Sequence, residues 1–244
     1  MKRLYVIIAL LAVAAVYVAG QERRVQYRPY IDLRPLHFGI QVGFNVQDIE
    51  MRNVGPQVFE GIGERTVAVD ADTWNPGFSV GVLADLRLHQ YFSLRVLPTM
   101  HFGSKHLVFR DFDDLNDAGH PRESTQDLKN TYVTVPVSIK VSAERFNNYR
   151  PYVIAGVSPM INLSGKDQDF VQLKRFDTMA EVGFGCDFYL PFFKLCPELK
   201  FCFSLADVLN GKHAEELNDI NKRVFTLSAD RAVSKMVVLT FNFE

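Results

Sequence analysis

From Leu36 to Val46 the chain reads L-H-F-G-I-Q-V-G-F-N-V, with Leu36, Phe38, Ile40, Val42, Phe44 and Val46 apolar and His37, Gly39, Gln41, Gly43 and Asn45 polar or glycine. Such strict alternation marks a β-strand with one apolar face, because successive side chains point to opposite sides of a strand; a helix would scatter these residues around its circumference. The length matters as well: ~9–11 residues tilted by ~45° cross a bilayer, whereas ordinary strands have about 5 or 6. The same pattern recurs over residues 78–88, 92–102, 133–141, 153–163, 178–190, 195–205 and 237–243. It predicts an all-β fold, an eight-stranded antiparallel transmembrane β-barrel of the outer-membrane type.

The connections between these strands alternate in length. Residues 89–91, 142–152 and 191–192 are short links, and residues 47–77, 103–132, 164–177 and 206–236 are long ones. Long loops on one side and short turns on the other are expected of an even-numbered bacterial barrel, with both termini on the short-turn, periplasmic side. Pro98, Pro136, Pro159 and Pro197 fall inside the predicted strands, where each removes a ladder hydrogen bond, so bulges or local edges are expected there.

The two registers differ in charge. None of the apolar-register positions is Asp, Glu, Lys or Arg, although 23% of the chain is charged. A lipid-facing surface requires this, since a basic residue at the bilayer midplane costs roughly 2–4 kcal/mol. The opposite register carries Asp85, Arg87, Arg95, Lys140, Glu181, Asp187, Glu198 and Lys200. If residues 89–91 form a turn, Asp85 faces Arg95; if residues 191–192 form one, Glu181 lies a diagonal step from Lys200. These acids and bases are expected to form an ion-pair network inside a barrel whose lumen holds side chains or one small ligand, not an aqueous channel. The rival architecture is a soluble barrel of lipocalin type, apolar inside and polar outside.

Ahead of the barrel, residues 1–20 read as a secretory signal: Lys2 and Arg3 precede an apolar core from Leu4 to Ala19, shorter than the ~20 residues of a spanning helix. Cleavage is expected between Gly20 and Gln21. Residues 21–35 form a polar segment with Arg23, Arg24, Arg28 and Arg34, readable as a solvated leader or as a basic periplasmic arm that docks on a partner. The barrel domain then occupies residues 36–244. A net charge of −1 gives no electrostatic case for nucleic acid.

No pattern of catalytic or ligand-binding residues emerges. Cys196 and Cys202 stand roughly 20 Å apart on one strand, and Cys186 lies on the other register, so free thiols are expected. The run Asp111-Phe112-Asp113-Asp114-Leu115-Asn116-Asp117 has Leu115 where a calcium loop needs an oxygen ligand, and reads as a solvated loop. The histidines have no zinc-ligand spacing, Ser164-Gly165-Lys166 lacks the upstream glycine of a phosphate loop, and no G-x-S-x-G occurs. The expectation is a non-enzymatic protein without metal or cofactor. Trp74, beside the second strand, is a candidate for an interfacial aromatic belt.

Two stretches carry a resemblance. Arg34-Pro35-Leu36-His37-Phe38-Gly39, leading to Gly43, Asn45 and Asp48, resembles the start of the PorT family, and Pro197-Glu198-Leu199-Lys200-Phe201 with Ser204-Leu205 resembles its late strand. The resemblance implies an outer-membrane component of the type IX secretion machinery, which exports cargo with C-terminal sorting domains such as secreted proteases and adhesins. It implies other secretion components, outer-membrane lipid and secreted cargo as partners, and brings no catalytic residues. A general small barrel, acting in adhesion or small-ligand binding through residues 47–77 and 206–236, is the alternative.

Overall fold

A computed structural model describes residues 25–59, 63–115, 119–164, 170–211, 213 and 220–244. The signal segment with Gly20 and Gln21, the arm residues Arg23 and Arg24, Asn116 and Asp117 of the acidic run, and Gly165 and Lys166 lie outside the described residues.

The strands are β1 (Leu36–Asn53), β2 (Gln57–Phe59), β3 (Gly63–Arg65), β4 (Val67–Thr73), β5 (Pro76–Arg87), β6 (Phe92–Val96), β7 (Thr99–Leu115), β8 (Pro121–Thr134), β9 (Val137–Ser142), β10 (Tyr149–Asn162), β11 (Phe176–Tyr189), β12 (Lys194–Ser204) and β13 (Ala229–Phe243), and the described residues also hold a 3-10 turn at Ile31–Leu33 and a short helix, α1 (Ile220–Thr226). The predicted barrel is borne out. β6 with β7 forms one broken wall strand and β8 with β9 another, giving a wall of eight antiparallel strands that closes where β1 pairs with both β5 and β13. The register places Val42 opposite Val80 on one side and Phe241 on the other.

Pro98 and Pro136 explain the breaks. At one level of the wall the Val82 N–H donates to the Pro98 carbonyl (3.0 Å), Leu97 to Pro136 (3.1 Å) and Val135 to Pro159 (3.1 Å). None of these prolines can return an N–H, so adjacent strands are interrupted side by side. Pro159 and Pro197 stay within β10 and β12 rather than ending them, and opposite Pro197 the β11–β12 ladder lapses between Gly185–Glu198 and Phe188–Leu195.

The main departure from the sequence-based expectation is strand length. β1 runs past Val46 to Asn53, β7 past Phe102 to Leu115, β8 begins at Pro121 and β13 at Ala229. In these extensions the polarity of the two faces inverts. On β1 the outward positions change from Phe44 and Val46 to Asp48, Glu50 and Arg52, while the inward ones change from Asn45 and Gln47 to Ile49 and Met51. On β7 the inward positions change from His101 and Lys105 to Leu107 and Phe109. The outward apolar band is the part that faces lipid; beyond it water bathes the outside, and the inside takes the apolar core that a soluble barrel has.

That core joins Ile49, Leu107, Phe109, Leu128 and Ala232 of the wall to Val67 and Val69 of β4, Val171 and Leu173, Val208 and Leu209, and Val224 of α1. Residues expected to be loops therefore form a second tier. Leu173 bridges Leu209, Val208 donates to the Ala232 carbonyl (3.0 Å), and β4 adds to the outer edge of β7. Two gaps in the backbone ladder are closed by primary amides that imitate a peptide group. Asn53 accepts from Val69 N–H (2.9 Å) and donates to its carbonyl (3.3 Å), and Gln126 does the same with Val171 (3.0 and 3.3 Å). Asp207 pins the tier at one corner by accepting from the N–H groups of Leu209 (3.1 Å) and Ala232 (2.9 Å). Burial works to raise its carboxyl, but these donors and Lys174 hold it below the usual carboxylate range.

The membrane band gives a direct prediction. Val42 points outward near the middle of the apolar stretch of β1, so Val42→Arg is expected to destabilise the barrel by roughly 2–4 kcal/mol. Glu50→Arg, on the same face but beyond the band, is expected to change little. Urea unfolding in lipid vesicles checks both.

Candidate functional site

Inside the membrane band the lumen is filled from the turn end upward. The hairpin β5–β6 sets Asp85 opposite Arg95, which is 1% exposed. Arg95 donates from Nη2 to Asp85 (2.9 Å), from Nη1 to Glu198 (2.9 Å), and again from Nη2 to Glu244 (3.3 Å). Glu198 also accepts from the Tyr152 hydroxyl (2.7 Å) and lies 3.6 Å from Lys200, which reaches Glu181 at 3.8 Å, and Glu181 accepts from Ser138. Lys140 grips both oxygens of Asp187 (2.7 and 2.8 Å) and sits 3.9 Å from the centre of the Tyr152 ring. Lys194 pairs with Glu244 and stands 3.9 Å from Asp187. Tyr152 leans over its cross-strand neighbour Gly185, where a Cβ would come within 2.5 Å of the tyrosine hydroxyl, so only glycine leaves room for it.

Of the charged positions expected inside, seven form this cluster. Arg87 stands apart at the turn-end mouth, lining a cleft of about 40 Å³ with Asp32, His37, His89 and Arg150, and makes no ion pair among the described residues. Lys194 and Glu244 belong to the cluster but were not read from the sequence. Each continues the inward register one residue beyond the predicted end of its strand, and that continuation was the available signal.

Above the ions lies a neutral polar layer. His101 contacts Ser79 (2.7 Å) and Thr134 (3.2 Å), Asn45 donates to Ser79 (2.9 Å), and Thr99 donates to Gln41 (3.2 Å). Lys105 follows, fully buried, donating to the hydroxyls of Tyr132 (3.2 Å) and Ser234 (2.8 Å). The apolar tier then closes the top. Ions, hydroxyls and hydrocarbon thus follow one another along the lumen.

The turn end is strapped rather than open. Residues 25–35, read as a solvated leader or a free arm, fold back across it: Tyr27 N–H donates to Asn148 (2.9 Å), Arg145 donates to the Tyr27 and Arg28 carbonyls, and the Tyr189 hydroxyl donates to Asp32 (2.6 Å). Arg28 donates to the Glu244 carbonyl (3.2 Å) and is engaged with its own barrel; Arg34 is exposed. The acidic run is not a solvated loop over its described part. Asp111 bonds Arg65 (2.8 Å), Asp113 accepts from Thr66 N–H (2.6 Å) and Asp114 pairs with Arg122 (3.2 Å), so it stitches the first loop to β7 and β8. Cys186, Cys196 and Cys202 are free thiols, Cys186 on the outward register and the other two inside. Trp74 is 69% exposed in the link between β4 and β5.

A closed ring of strands, with a charge-free apolar band outside and polar side chains inside that band, is the architecture of an outer-membrane β-barrel protein. The chain belongs to the outer membrane protein beta-barrel domain family, which matches residues 19–210. The match ends before β13, the strand that completes the ring. No curated protein matches the chain. Among solved structures it is similar to the outer membrane protein OprG from Pseudomonas aeruginosa, at 11% identity and a TM-score of 0.46, covering 90% of this chain and 98% of that one. It is also similar to Neisserial surface protein A, at 11% identity and 0.41 (86% and 98%), and to Ail of Yersinia pestis, at 11% and 0.36 (84% and 96%). These likenesses are distant and carry no inference about activity. The protein resides in the outer membrane.

Proposed function

We propose that this barrel is a non-enzymatic outer-membrane subunit of the type IX protein secretion machinery, acting as an anchor and docking platform rather than as the conduit. Both termini and the short turns face the periplasm in this reading, and the long-loop tier faces outward. The observation that supports the role is a lumen filled, among the described residues, by the Arg95 ion cluster at one end and the Phe109 core at the other, which favours the two ends and the lipid-facing wall as the places for partners. The resemblance from Arg34 to Asp48 supports the choice of machine, and other secretion components and cargo with C-terminal sorting domains are the partners it implies.

A strain lacking the gene tests this. Cargo bearing a sorting domain is expected to accumulate in the periplasm, and to be exported again when the gene is restored. Normal export from the deletion strain overturns the secretion role.

A second reading, adhesion or small-ligand binding at the loop end, is supported by a cleft of about 390 Å³ lined by Arg65, Asp111, Asp114, Arg122 and Phe225. It predicts that cargo export continues in the deletion strain while surface binding is lost.

A further inference from the structure

The outward face of the wall is dented at the row of prolines. Between β8, β10 and β11 lies a groove of about 560 Å³, within the ~300–1,000 Å³ range of small-molecule sites. Val133, Val135, Pro159, Ile161 and Phe176 line it, all on the outward register, and Lys174 with Asp207 forms its loop-end rim. The dent has a backbone cause. Where β8 gives way to β9 at Val135 and Pro136, the wall is joined to β10 through the Val135–Pro159 bond, and neither proline has an N–H to add another.

The groove sits at the upper edge of the apolar band. Below it the outward positions of this wall are Val137, Ile139 and Val141; above it on β8 they are Thr131, Lys129 and Asp127. An occupant therefore has an apolar part in the band and a polar part above it. A peptide fits poorly, because its backbone groups would face hydrocarbon without partners. Lys174 is the cation of the lining, which also carries Asp177; beside it, Arg175 is exposed, lies 5.8 Å from the Phe176 ring and has no ion pair among the described residues. The Lys174 ammonium donates to the Asp207 carbonyl (2.8 Å) and carboxylate (3.4 Å), which leaves its third N–H for a ligand.

We propose that this groove holds an acyl chain of a phosphorylated glycolipid of the lipid A class, with a lipid phosphate on Arg175 and Lys174. The assignment rests on the orientation that puts the loop end outside, since such glycolipids occupy the outer leaflet and phospholipids the inner one. A basic residue near an anionic lipid surface is worth about fivefold in affinity, so losing two is expected to weaken retention roughly 25-fold.

The test is native mass spectrometry of the full chain in mild detergent, titrated with lipid A or with phosphatidylglycerol. The unaltered protein is expected to retain lipid A in preference. The double variant Lys174→Ala/Arg175→Ala is expected to lose about 25-fold, and Ile161→Trp, which fills the groove, to lose retention too; unchanged mobility on an unheated gel verifies that both are folded. No retention, equal retention of phosphatidylglycerol, or full retention by the folded variants overturns the site. Maleimide labelling of Glu64→Cys on intact cells reports orientation separately. Labelled cells with no lipid A retention overturn the groove alone, and unlabelled cells overturn the orientation.

Discussion

Arg95→Met is expected to cost the folded barrel about 3–5 kcal/mol, the cost of leaving buried carboxylates without their cation. Arg95 is the point at which three acids meet, Asp85, Glu198 and Glu244, and it joins β6 to β5, β12 and the residue that follows β13. Lys200 and Lys194 remain within reach of Glu198 and Glu244, but Asp85 has no second cation in an ion pair among the described residues. The triple variant Arg95→Met/Asp85→Asn/Glu198→Gln is expected to recover much of the loss, because removing both sides of a buried pair is far less costly than removing one. Arg95→Lys is expected to fall between the extremes, since an ammonium cannot supply the forked geometry that reaches three carboxylates. Equilibrium unfolding in urea, read alongside the mobility of unheated samples on gels, ranks the variants. Equal stability of Arg95→Met and the unaltered protein would show that the cluster is not held together by this guanidinium.

The consequence for function is architectural. Charges in the lumen of a small barrel must be neutralised locally, because no water-filled channel solvates them. In the Arg95 cluster they are neutralised by neighbours fixed in the strand register, so opening a path there would mean separating several ion pairs at once, whereas Lys105 above it is held by hydroxyls. A barrel built this way presents its ends and its outside to partners.

Much of this was legible from the alternation of apolar residues, and the reason also sets its limit. Lipid on one side imposes an uninterrupted apolar register, so Leu36 to Val46 and Phe78 to Leu88 mark their strands plainly. Beyond the band the constraint changes sides: Ile49 and Met51 continue β1 on the opposite parity from Val46, which in one dimension looks like the end of a strand. β4, with Val67, Val69 and Ala71 alternating against Ala68 and Asp70, has an ordinary half-buried pattern but lies inside what the long connection suggested was loop. The Asp85–Arg95 pairing followed from a short turn, because hairpin register propagates from the turn residues. The meeting of Arg95 with Glu198 and Glu244 follows from closure of the ring and from the reach of side chains across the lumen, which no local pattern encodes. The strap over the turn end was hidden for a similar reason: its bonds join residues 25–35 to Arg145, Asn148 and Tyr189, far along the chain.

The second large effect is expected at Phe109, where truncation to alanine should cost about 3–5 kcal/mol. Phe109 is fully buried and meets the rings of Phe170 (5.3 Å, 64°) and Phe225 (5.6 Å, 75°) edge to face. It is the contact through which the wall strand β7 holds both the residue-170 segment and α1. The loss should be local. The membrane band below depends on lipid contact and on the ion cluster, whereas the loop-end tier rests on its own small core, its amide-closed gaps and ties such as Arg65–Asp111 and Asp114–Arg122. Limited proteolysis of the Phe109→Ala protein in vesicles is therefore expected to cut within residues 206–236 much faster than in the unaltered protein, while the barrel keeps its unheated gel mobility. Gln126→Leu, which removes the amide bridge to Val171 but spares the aromatic contacts, is expected to open the same region to a smaller degree. If Phe109→Ala instead unfolds tier and band together, the two parts form one cooperative unit, and the loop end cannot rearrange around a partner without disturbing the membrane-embedded wall.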